Sequence, residues 1–452
     1  MLFTTKWISS IFTNFRGNGA SDIPLFEVTT DSRKKAEQSL FIPLIGEKFD
    51  GHNFAEQALE NGAAAFLWEQ TKPLPPNLPE DFPVFFVEDT LAALQQLAKH
   101  YREQVNPIVI GITGSNGKTT TKDLTASVVS SRYRTHYTEG NFNNHIGMPL
   151  TILSMPKNTE VLIVEMGMSD FGEIELLSSI ARPDFAIITN IGESHIEYLG
   201  SRKGIAKAKM EITKGMSNDG IIVIDGDEPL LEDVKQTHRT ETCGFTSSSD
   251  HIIHQVEITE HGTDFQLFNE KYHIPLYGKH HAKNAAFAIT IGKHLHISQE
   301  MIKAGLTSLK QTGMRFEMMK GKAGATIIND AYNASPTSMK AAIEVVKQMS
   351  GYENKILVLG DVLELGDHSE VLHRSVAASI DSPITAVFTF GSDAKFITDE
   401  VQKSKKHIQA VHFTEKQSLL HALQKFENGA SLILFKASRG LKFETLIDNL
   451  MD

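Results

Sequence analysis

Short apolar runs separated by segments of helical spacing dominate the middle of the chain. The runs Ile108–Ile112, Val161–Glu165, Phe185–Thr189 and Ile221–Asp225 are each long enough for one buried strand. This alternation is typical of a parallel sheet flanked by helices. We therefore predict a central α/β domain over residues 107–312.

Near the end of this domain the pattern changes to period two, between His251 and Leu276. Turn signals stand at His261-Gly262 and Asn269-Glu270, which predicts a small antiparallel sheet. The stretch Ala282–Leu295 then has the spacing of a helix.

Apolar runs and helical segments alternate again over residues 313–452, which predicts a second α/β domain with loops at the strand ends that can face a ligand. The predicted strands are Thr326–Asn329, Ile356–Leu359, Ala386–Phe390 and Leu432–Phe435. The predicted helices are Pro336–Met349, Ser369–Ile380, Lys416–Phe426 and Leu441–Asp448.

Residues 1–106 mix shorter elements and form a predicted first domain. The expected strands are Ser39–Pro43, Ala63–Trp68 and Val84–Val87, and the expected helices are Phe54–Asn61 and Leu91–Gln104. A proline-rich segment at 72–76 interrupts them. The fold class is therefore α/β with three domains.

Composition narrows the class of protein. The 452 residues are 41% hydrophobic and 22% charged, as in ordinary globular domains. A net charge of −11 argues against nucleic acid as a partner. The single cysteine, Cys243, excludes an internal disulfide framework and fits a reducing compartment. We expect no membrane insertion, because no apolar stretch is long enough, and the N-terminal segment lacks the pattern of a signal peptide.

The segment VIGITGSNGKTTT, residues 109–121, carries the strongest chemical signal. A strand, a loop with Gly114 and Gly117, then Lys118-Thr119 and a helix form the layout of a nucleotide-triphosphate cradle. Lys118 is expected to reach the β- and γ-phosphates, and the Thr119 hydroxyl to bind Mg²⁺. The usual pattern has glycine at position 112, where this chain has Ile112, so the cradle is a variant.

Two further side chains follow core strands. Glu165 ends the strand after the cradle helix, where a carboxylate beside a phosphate loop commonly holds Mg²⁺. His195 lies just past the next strand, in the same layer as Lys118 and Glu165. On the helix after it, Lys207 and Lys209 are two residues apart and point to different faces, so at most one readily faces the site.

Together these segments resemble the Mur ligase family. In order along the chain they are TDSR (30–33), GEKFDGHNF (46–54), TGSNGKTTT (113–121), GNFNNHIGMPLT (140–151), EMGMSDFGEI (165–174), TNIGESHIEYLGS (189–201) and the AKAK helix. NDAYNASPTSM (329–339) and LGDVLELGD (359–367) narrow the resemblance to the member that adds a D-alanyl dipeptide. The similarity covers essentially the whole chain.

The resemblance implies a UDP-binding first domain, a central ATPase domain and a Rossmann-like C-terminal domain that binds the dipeptide. It implies that ATP phosphorylates the terminal carboxylate of UDP-MurNAc-tripeptide and that the amine of D-Ala-D-Ala then attacks the acyl phosphate. The product is UDP-MurNAc-pentapeptide, a peptidoglycan precursor. The third residue of the tripeptide, lysine or diaminopimelate, stays open.

The resemblance also implies two Mg²⁺ ions. One is held by Thr119 and Glu165. The second is held by His195 and by a carbamylated lysine, which residue matching assigns to Lys209 with Lys207 as the alternative. Carbamylation requires a neutral amine, which suits a buried lysine of lowered pKa.

The remaining site residues are carried over from the family's motifs. The nucleotide is expected at Gly114, Ser115, Asn116, Gly117, Lys118, Thr119, Thr120, Asn284, Arg315 and Asp330. Family members usually have asparagine where this chain has His281. The other substrates are expected at Ser32, Arg33, Asp50, His52, Phe54, Asn144, Asn333, Ala334, Ser335 and Arg439, the first five for the uridine diphosphate.

Other functions share parts of this pattern. Another amino-acid-adding Mur ligase or a folylpolyglutamate-synthetase-like enzyme has the same central motifs, but the chain lacks the DNPR loop typical of the amino-acid-adding member. A P-loop switch or motor is the alternative from another class. Our expectation is a cytoplasmic, monomeric ligase whose C-terminal domain swings in to exclude water.

Overall fold

The computed structural model describes residues 1–451 and contains three sheets of five or more strands, one in each predicted domain. Asp452, the last residue of the predicted third domain, lies outside the described residues. The α/β fold class is confirmed. Among residues 1–451, no helix is both long and apolar enough to cross a membrane.

The first domain contains a five-stranded sheet in the order β2-β7-β6-β5-β4, in which only the β2–β7 pair is antiparallel. A two-stranded antiparallel ribbon, β1–β3, precedes it. The strands are β1 Phe3–Thr4, β2 Phe15–Arg16, β3 Pro24–Leu25, β4 Glu27–Thr29, β5 Ser39–Phe41, β6 Ala63–Glu69 and β7 Val84–Val87. The helices are α1 Thr5–Ser9, α2 Ala55–Glu60 and α3 Thr90–Val105.

The central domain is built on seven parallel strands in the order β14-β13-β12-β11-β8-β10-β9. These are β8 Ile108–Thr113, β9 Thr135–Tyr137, β10 Val161–Glu165, β11 Phe185–Ile188, β12 Ile221–Asp225, β13 Arg239–Gly244 and β14 His251–Ile252. The predicted antiparallel sheet is present as β15 His254–Thr259, β16 Gly262–Leu267 and β17 Glu270–Ile274. The helices are α4 Lys118–Ser130, α5 Gly147–Leu153, α6 Glu173–Ala181, α7 Ile196–Leu199, α8 Arg202–Met210, α9 Lys279–His294 and α10 Gln299–Thr307.

The third domain has a six-stranded sheet in the order β18-β19-β23-β20-β21-β22, with β18 antiparallel and the others parallel. Its strands are β18 Glu317–Lys320, β19 Thr326–Asn329, β20 Asn354–Gly360, β21 Ala386–Phe390, β22 Gln409–Phe413 and β23 Ser431–Lys436. Its helices are α11 Pro336–Gln348, α12 Ser369–Val376, α13 Lys395–Ser404, α14 Lys416–Leu423 and α15 Glu444–Asp448.

Three predicted helices needed correction. The segment predicted as Ser369–Ile380 leaves the α-helix at Val376 and continues as a 3₁₀ turn, Ala377–Ser379. The segment predicted as Lys416–Phe426 does the same at Leu423, with the 3₁₀ turn Gln424–Phe426. The helix predicted from Leu441 begins at Glu444, because Lys442 takes a left-handed conformation with φ 51° after a 3₁₀ turn. Left-handed residues interrupt right-handed helices, and the sequence pattern does not reveal them.

A buried ion pair anchors the connection between the central and third domains. The ammonium of Lys122 lies 2.5 Å from the Asp123 carboxylate, and both side chains are almost fully buried on α4. The other oxygen of Asp123 accepts a hydrogen bond from the backbone N–H of Thr312, at 3.0 Å. The pair therefore holds the last residue of the predicted central domain against its cradle helix.

We predict that Asp123→Asn lowers the free energy of unfolding by about 3–5 kcal/mol, because the buried Lys122 ammonium loses its anionic partner. Chemical denaturation followed by tryptophan fluorescence and circular dichroism would measure it. The exposed pair of Lys303 and Glu270 is the control, and Glu270→Gln is expected to change stability by less than about 1 kcal/mol. Equal effects of the two substitutions would contradict the role of Asp123.

Candidate active site

The loop between β8 and α4 has the geometry of a phosphate cradle. Gly114 has φ +150°, and a Cβ atom there would stand 1.8 Å from the hydroxyl of Thr189, so only glycine fits. The ammonium of Lys118 donates a hydrogen bond to the carbonyl oxygen of Gly114 at 2.9 Å, which folds the side chain over the loop. Backbone N–H groups at the N-terminus of α4 and the Lys118 ammonium are thus placed around the same space, where a phosphate group would fit.

Asn190, to which the sequence assigned no role, fixes this loop from the neighbouring strand. Its side-chain oxygen accepts from the N–H of Asn116, and its amide donates to the Asn116 carbonyl, both at 3.0 Å. The Thr189 hydroxyl donates to the same carbonyl at 2.6 Å. The loop shape is therefore set by the end of β11 as well as by its own glycines.

A cleft of about 1150 Å³ opens beside the cradle, between the central and third domains. Its lining includes residues of both domains. The predicted site residues that line it are Ser115, Asn116, Gly117, Lys118, Thr119, Thr120, Asn144, Glu165, His195, Asn284, Arg315, Asp330 and Asn333. The predicted residues thus form the part of the lining around the phosphate cradle, and other residues of both domains complete it.

The two carboxylate oxygens of Glu165, at the end of β10, differ in their contacts. Oε1 accepts a hydrogen bond from the Asn143 amide at 2.7 Å. Oε2 is buried and has no hydrogen-bond partner among residues 1–451. A buried carboxylate oxygen aimed into a cleft fits a hard cation such as Mg²⁺. Within that part of the chain, no cluster of three or more acidic, histidine or cysteine side chains could hold a metal by itself.

The structure distinguishes the two lysines of α8. Lys209 is only 2% exposed, whereas Lys207 is exposed at the surface with its ammonium 5.7 Å from the Phe171 ring. Burial, together with the positive charge of Lys118, lowers the pKa of Lys209 well below its usual value. Burial also lowers the pKa of Lys118, opposed by the Glu165 carboxylate. Lys209 therefore has the environment in which a neutral amine is favoured.

His195 meets the third domain. It adopts a left-handed conformation with φ 64° directly before α7, and its Nδ1 lies 2.5 Å from a carboxylate oxygen of Glu364. The close contact with His195 is the main cause of the lowered pKa of Glu364. Because Glu364 holds one ring nitrogen, the other is the one available to a ligand.

The third domain also places an arginine on the cradle. The Arg315 guanidinium donates to the Thr119 hydroxyl at 3.1 Å and lies 4.1 Å from the centre of the Tyr332 ring. Asp330 accepts a hydrogen bond from the buried Lys436 ammonium at 2.6 Å and a second from a backbone N–H. Sequence analysis identified Arg315 and Asp330 but missed Tyr332 and Lys436.

The loop of Asn333, Ala334 and Ser335, predicted to contact a substrate, lies only partly in the large cleft. Ser335 is buried, caps the N-terminus of α11 and donates from its hydroxyl to the Asn116 side chain at 3.0 Å. Ala334 and Arg439 line a smaller cavity of about 270 Å³, which shares His195, Tyr332 and Asn333 with the cleft. Ser335 therefore links the two domains, whereas Arg439 belongs to the smaller space.

The far end of the cleft combines apolar, cationic and amide groups. Asn284 and His281 are both buried there, with side-chain nitrogens 3.4 Å apart, and burial lowers the pKa of His281 well below its usual value. Lys283 forms ion pairs with Asp225 at 2.6 Å and Asp227 at 2.7 Å. None of these three charged residues was predicted, since their pairing depends on α9 crossing the end of β12.

Asn144 lines the cleft and also has a structural role at the start of α5. Its side-chain oxygen accepts from the N–H groups of Ile146 and Gly147, which starts α5. Its neighbour Asn143 is the residue that contacts Glu165. The asparagine pattern located the loop but did not indicate which amide faces the carboxylate.

The predicted uridine-diphosphate residues lie outside the large cleft and form a group on the first domain. His52 is buried against Trp68, with ring centres 4.5 Å apart, and its Nδ1 lies 2.6 Å from Asp50. Asp50 also pairs with Lys72 at 2.7 Å. Phe54 is exposed. These contacts give Asp50 and His52 a structural role, and their contact with a nucleotide stays a prediction.

Ser32 and Arg33 lie on the loop after β4. The Ser32 hydroxyl donates to Gln57 at 2.7 Å, and the exposed Arg33 guanidinium donates two hydrogen bonds to Asp31 at 2.8 Å. Those bonds lower the pKa of Asp31 to about 2. A role in diphosphate binding for this loop stays a prediction.

Comparison with known proteins matches three family models along the chain. They are described as "Mur ligase family, catalytic domain" (residues 26–102), "Mur ligase middle domain" (112–292) and "Mur ligase, glutamate ligase domain" (314–439).

Among curated relatives, the UDP-N-acetylmuramoyl-tripeptide–D-alanyl-D-alanine ligase of Bacillus subtilis (strain 168) is 50% identical over 428 residues, covering 94% of this chain and 93% of the relative. MurF from Acinetobacter baumannii is similar in structure, with a TM-score of 0.88 and 29% identity over 99% of this chain and 98% of that one. MurF ligase from Thermotoga maritima, in complex with ADP, has a TM-score of 0.83 and 30% identity over 95% and 97% of the two chains.

We predict that Gly114→Ala weakens ATP binding at least about tenfold, because the added methyl group must displace Thr189 and with it the cradle loop. Isothermal titration with a non-hydrolysable ATP analogue would measure the affinity. Gly351→Ala is the matched control: Gly351 also has positive φ, +87°, but nothing lies within 4 Å of the added atom. Loss of affinity in both variants would assign the effect to general strain.

Proposed function

The chain belongs to the Mur ligase family, and we propose that it is the ATP-dependent ligase that joins D-Ala-D-Ala to UDP-MurNAc-tripeptide. The observation that carries this proposal is the 50% identity, over nearly the full length of both chains, to a ligase of that name. The cleft supports it, because a phosphate cradle and a second α/β domain face each other across it.

The reaction needs two steps because a carboxylate is a poor electrophile. The terminal carboxylate of the tripeptide attacks the γ-phosphorus of ATP, giving an acyl phosphate and ADP. Both reactants are anions, so the step requires concentrated positive charge. Lys118, the cradle N–H groups and Arg315 supply that charge from two domains.

In the second step the neutral amine of D-Ala-D-Ala attacks the acyl carbon, and inorganic phosphate leaves with the electron pair of the C–O bond. Water would compete with the amine for the same carbon. Contacts between the domains reduce its access: Ser335 reaches Asn116, Thr337 donates to Glu193, and the N–H of Glu197 donates to the carbonyl of Glu364. The third domain thus covers the cradle in this arrangement.

We infer that Mg²⁺ acts with ATP in the cleft. The free oxygen of Glu165 and the Thr119 hydroxyl are the proposed ligands of one ion. His195 and Lys209, the latter as a carbamate, are the proposed ligands of a second. Bound Mg²⁺ would neutralise charge between the phosphates and the attacking carboxylate. The burial of Lys209 supports its assignment over Lys207.

The three domains divide the substrates in our proposal. Residues 1–106 bind the uridine diphosphate through Ser32, Arg33, Asp50, His52 and Phe54. Residues 107–312 bind ATP and the reacting carboxylate, and residues 313–452 bind the dipeptide. The exposed Phe54 ring at the surface of the first domain supports a stacking role toward the uracil.

We expect ATP, Mg²⁺ and UDP-MurNAc-tripeptide to release phosphate only when D-Ala-D-Ala is present, with UDP-MurNAc-pentapeptide identified by mass. Both tripeptide forms, with lysine and with diaminopimelate, should be tested. Phosphate release that needs neither substrate would indicate an ATPase of another class. A product formed with a single amino acid instead of the dipeptide would indicate another amino-acid ligase.

We predict one carbamate carbonyl resonance when the enzyme is incubated with ¹³C-bicarbonate. The resonance should disappear in Lys209→Met, together with at least about a tenfold loss of activity, because a proposed ligand is removed. Lys207→Met is the matched control from the same helix and should keep both the resonance and the activity. A signal that survives Lys209→Met would contradict the assignment.

A further inference from the structure

A strained turn at residues 314–316 connects the central domain to β18, the first strand of the third domain. Met314 and Phe316 have positive φ, 62° and 55°, and Arg315 lies between them. Positive φ is uncommon for side chains other than glycine, asparagine and aspartate. Residues in such a conformation persist only where their surroundings hold them, so the contacts around this turn have a cost to offset.

Two carboxylates of the third domain hold the N–H groups of the turn. Oε2 of Glu317 accepts a hydrogen bond from the N–H of Met314 at 2.9 Å. Oδ1 of Asp330 accepts one from the N–H of Phe316 at 3.2 Å, while its Oδ2 accepts from the buried Lys436 ammonium at 2.6 Å. The two residues with positive φ are therefore the two whose N–H groups meet a carboxylate.

The carbonyl oxygens of the turn are also held. The side-chain amide of Gln311 donates to the carbonyl of Arg315, and the N–H of Tyr332 donates to the carbonyl of Met314 at 3.4 Å. The Tyr332 ring lies 4.1 Å from the Arg315 guanidinium. Contacts on both sides of Arg315 thus fix its backbone, and an aromatic ring supports its side chain.

The guanidinium of Arg315 points from this turn to the phosphate cradle. It donates to the Thr119 hydroxyl at 3.1 Å, whereas its Nε is buried and has no hydrogen-bond partner among residues 1–451. A guanidinium has five N–H donors and commonly binds a phosphate with two of them. Arg315 therefore has donors left for the nucleotide.

On the basis of the proposed ATP-dependent function, we propose that Glu317 and Asp330 are positioning residues that hold the turn in its left-handed form and so direct Arg315 to the phosphates of the nucleotide. Lys436 acts through Asp330 by fixing its carboxylate. The backbone of Arg315 is then in place before the nucleotide arrives, and only the side chain changes partner on binding.

The test is the affinity for a non-hydrolysable ATP analogue, measured by isothermal titration. Glu317→Ala should weaken binding at least about fivefold, because the N–H of Met314 loses its acceptor and the turn leaves its strained conformation. Glu317→Gln keeps a side-chain oxygen and should bind within about twofold of the wild type. Glu317 begins an edge strand, so we expect both variants to fold.

Glu160→Ala is the matched control. Oε2 of Glu160 also accepts a backbone N–H at 2.9 Å, from Arg134, but Glu160 does not line the cleft. Its loss should leave the affinity for the analogue unchanged.

A double-mutant cycle separates positioning from general damage to the site. Arg315→Met should weaken binding at least about tenfold, and adding Glu317→Ala to it should change the affinity by less than about a further twofold. Met314→Asn should restore most of the affinity lost in Glu317→Ala, because asparagine adopts positive φ more readily than methionine.

Three results would overturn the proposal: an unchanged affinity in Glu317→Ala, additive losses in the double variant, or no recovery with Met314→Asn. Wild-type protein that does not bind the analogue would overturn it as well. Because every arm measures binding, an enzyme that binds the analogue but forms no pentapeptide would refute the proposed function and leave this inference intact.

Discussion

The site is governed by buried positive charge. Lys118 is close enough to Lys209 to lower its pKa, and burial lowers the pKa of both. Two buried ammonium groups are unstable together unless anions join them or one loses its proton. Glu165 supplies one anionic charge, and the phosphates of ATP would supply more. In the proposed carbamate, Lys209 itself changes from a cation into an anion. The phosphates of ATP and the carbamate would then offset the positive charge that Glu165 alone does not neutralise.

Parallel strands explain why these groups meet. In the central sheet β10, β8 and β11 are neighbours, and each is followed by one reactive side chain: Glu165, Lys118 or His195. In the third domain, β19, β23 and β20 are neighbours in the same way. The two carboxyl edges face each other across the cleft. The proposed reaction therefore draws on both sheets, with the phosphate cradle in the central domain and Arg315 in the third.

Sequence patterns predicted the buried strands well, because strands covered on both faces consist of nearly continuous apolar residues. They missed the short strands β1 to β4 of the first domain and also β9, β13, β18 and β22, which lie at or near sheet edges. β13, for example, carries the polar residues Arg239 and Glu241. Motif residues predicted the cleft, since they are local in sequence. Contacts between distant loops, such as Asn190 with Asn116 or Glu364 with His195, have no local signal. The sequence assigned Lys209 by motif matching alone, and its burial supports that assignment over Lys207, because the rotation of α8 depends on packing.

The contact of Arg315 with Thr119 determines which side chain must move when a nucleotide enters the cradle. The same hydroxyl is a proposed Mg²⁺ ligand, so the arginine and the ion compete for it. An entering triphosphate gives the guanidinium a stronger acceptor than a neutral hydroxyl, and the hydroxyl is then released. The other contacts between the domains, from Ser335 to Asn116 and from Thr337 to Glu193, use atoms outside the cradle helix and need not break. Nucleotide entry therefore requires one side chain to move, while the contacts that cover the cleft remain in place.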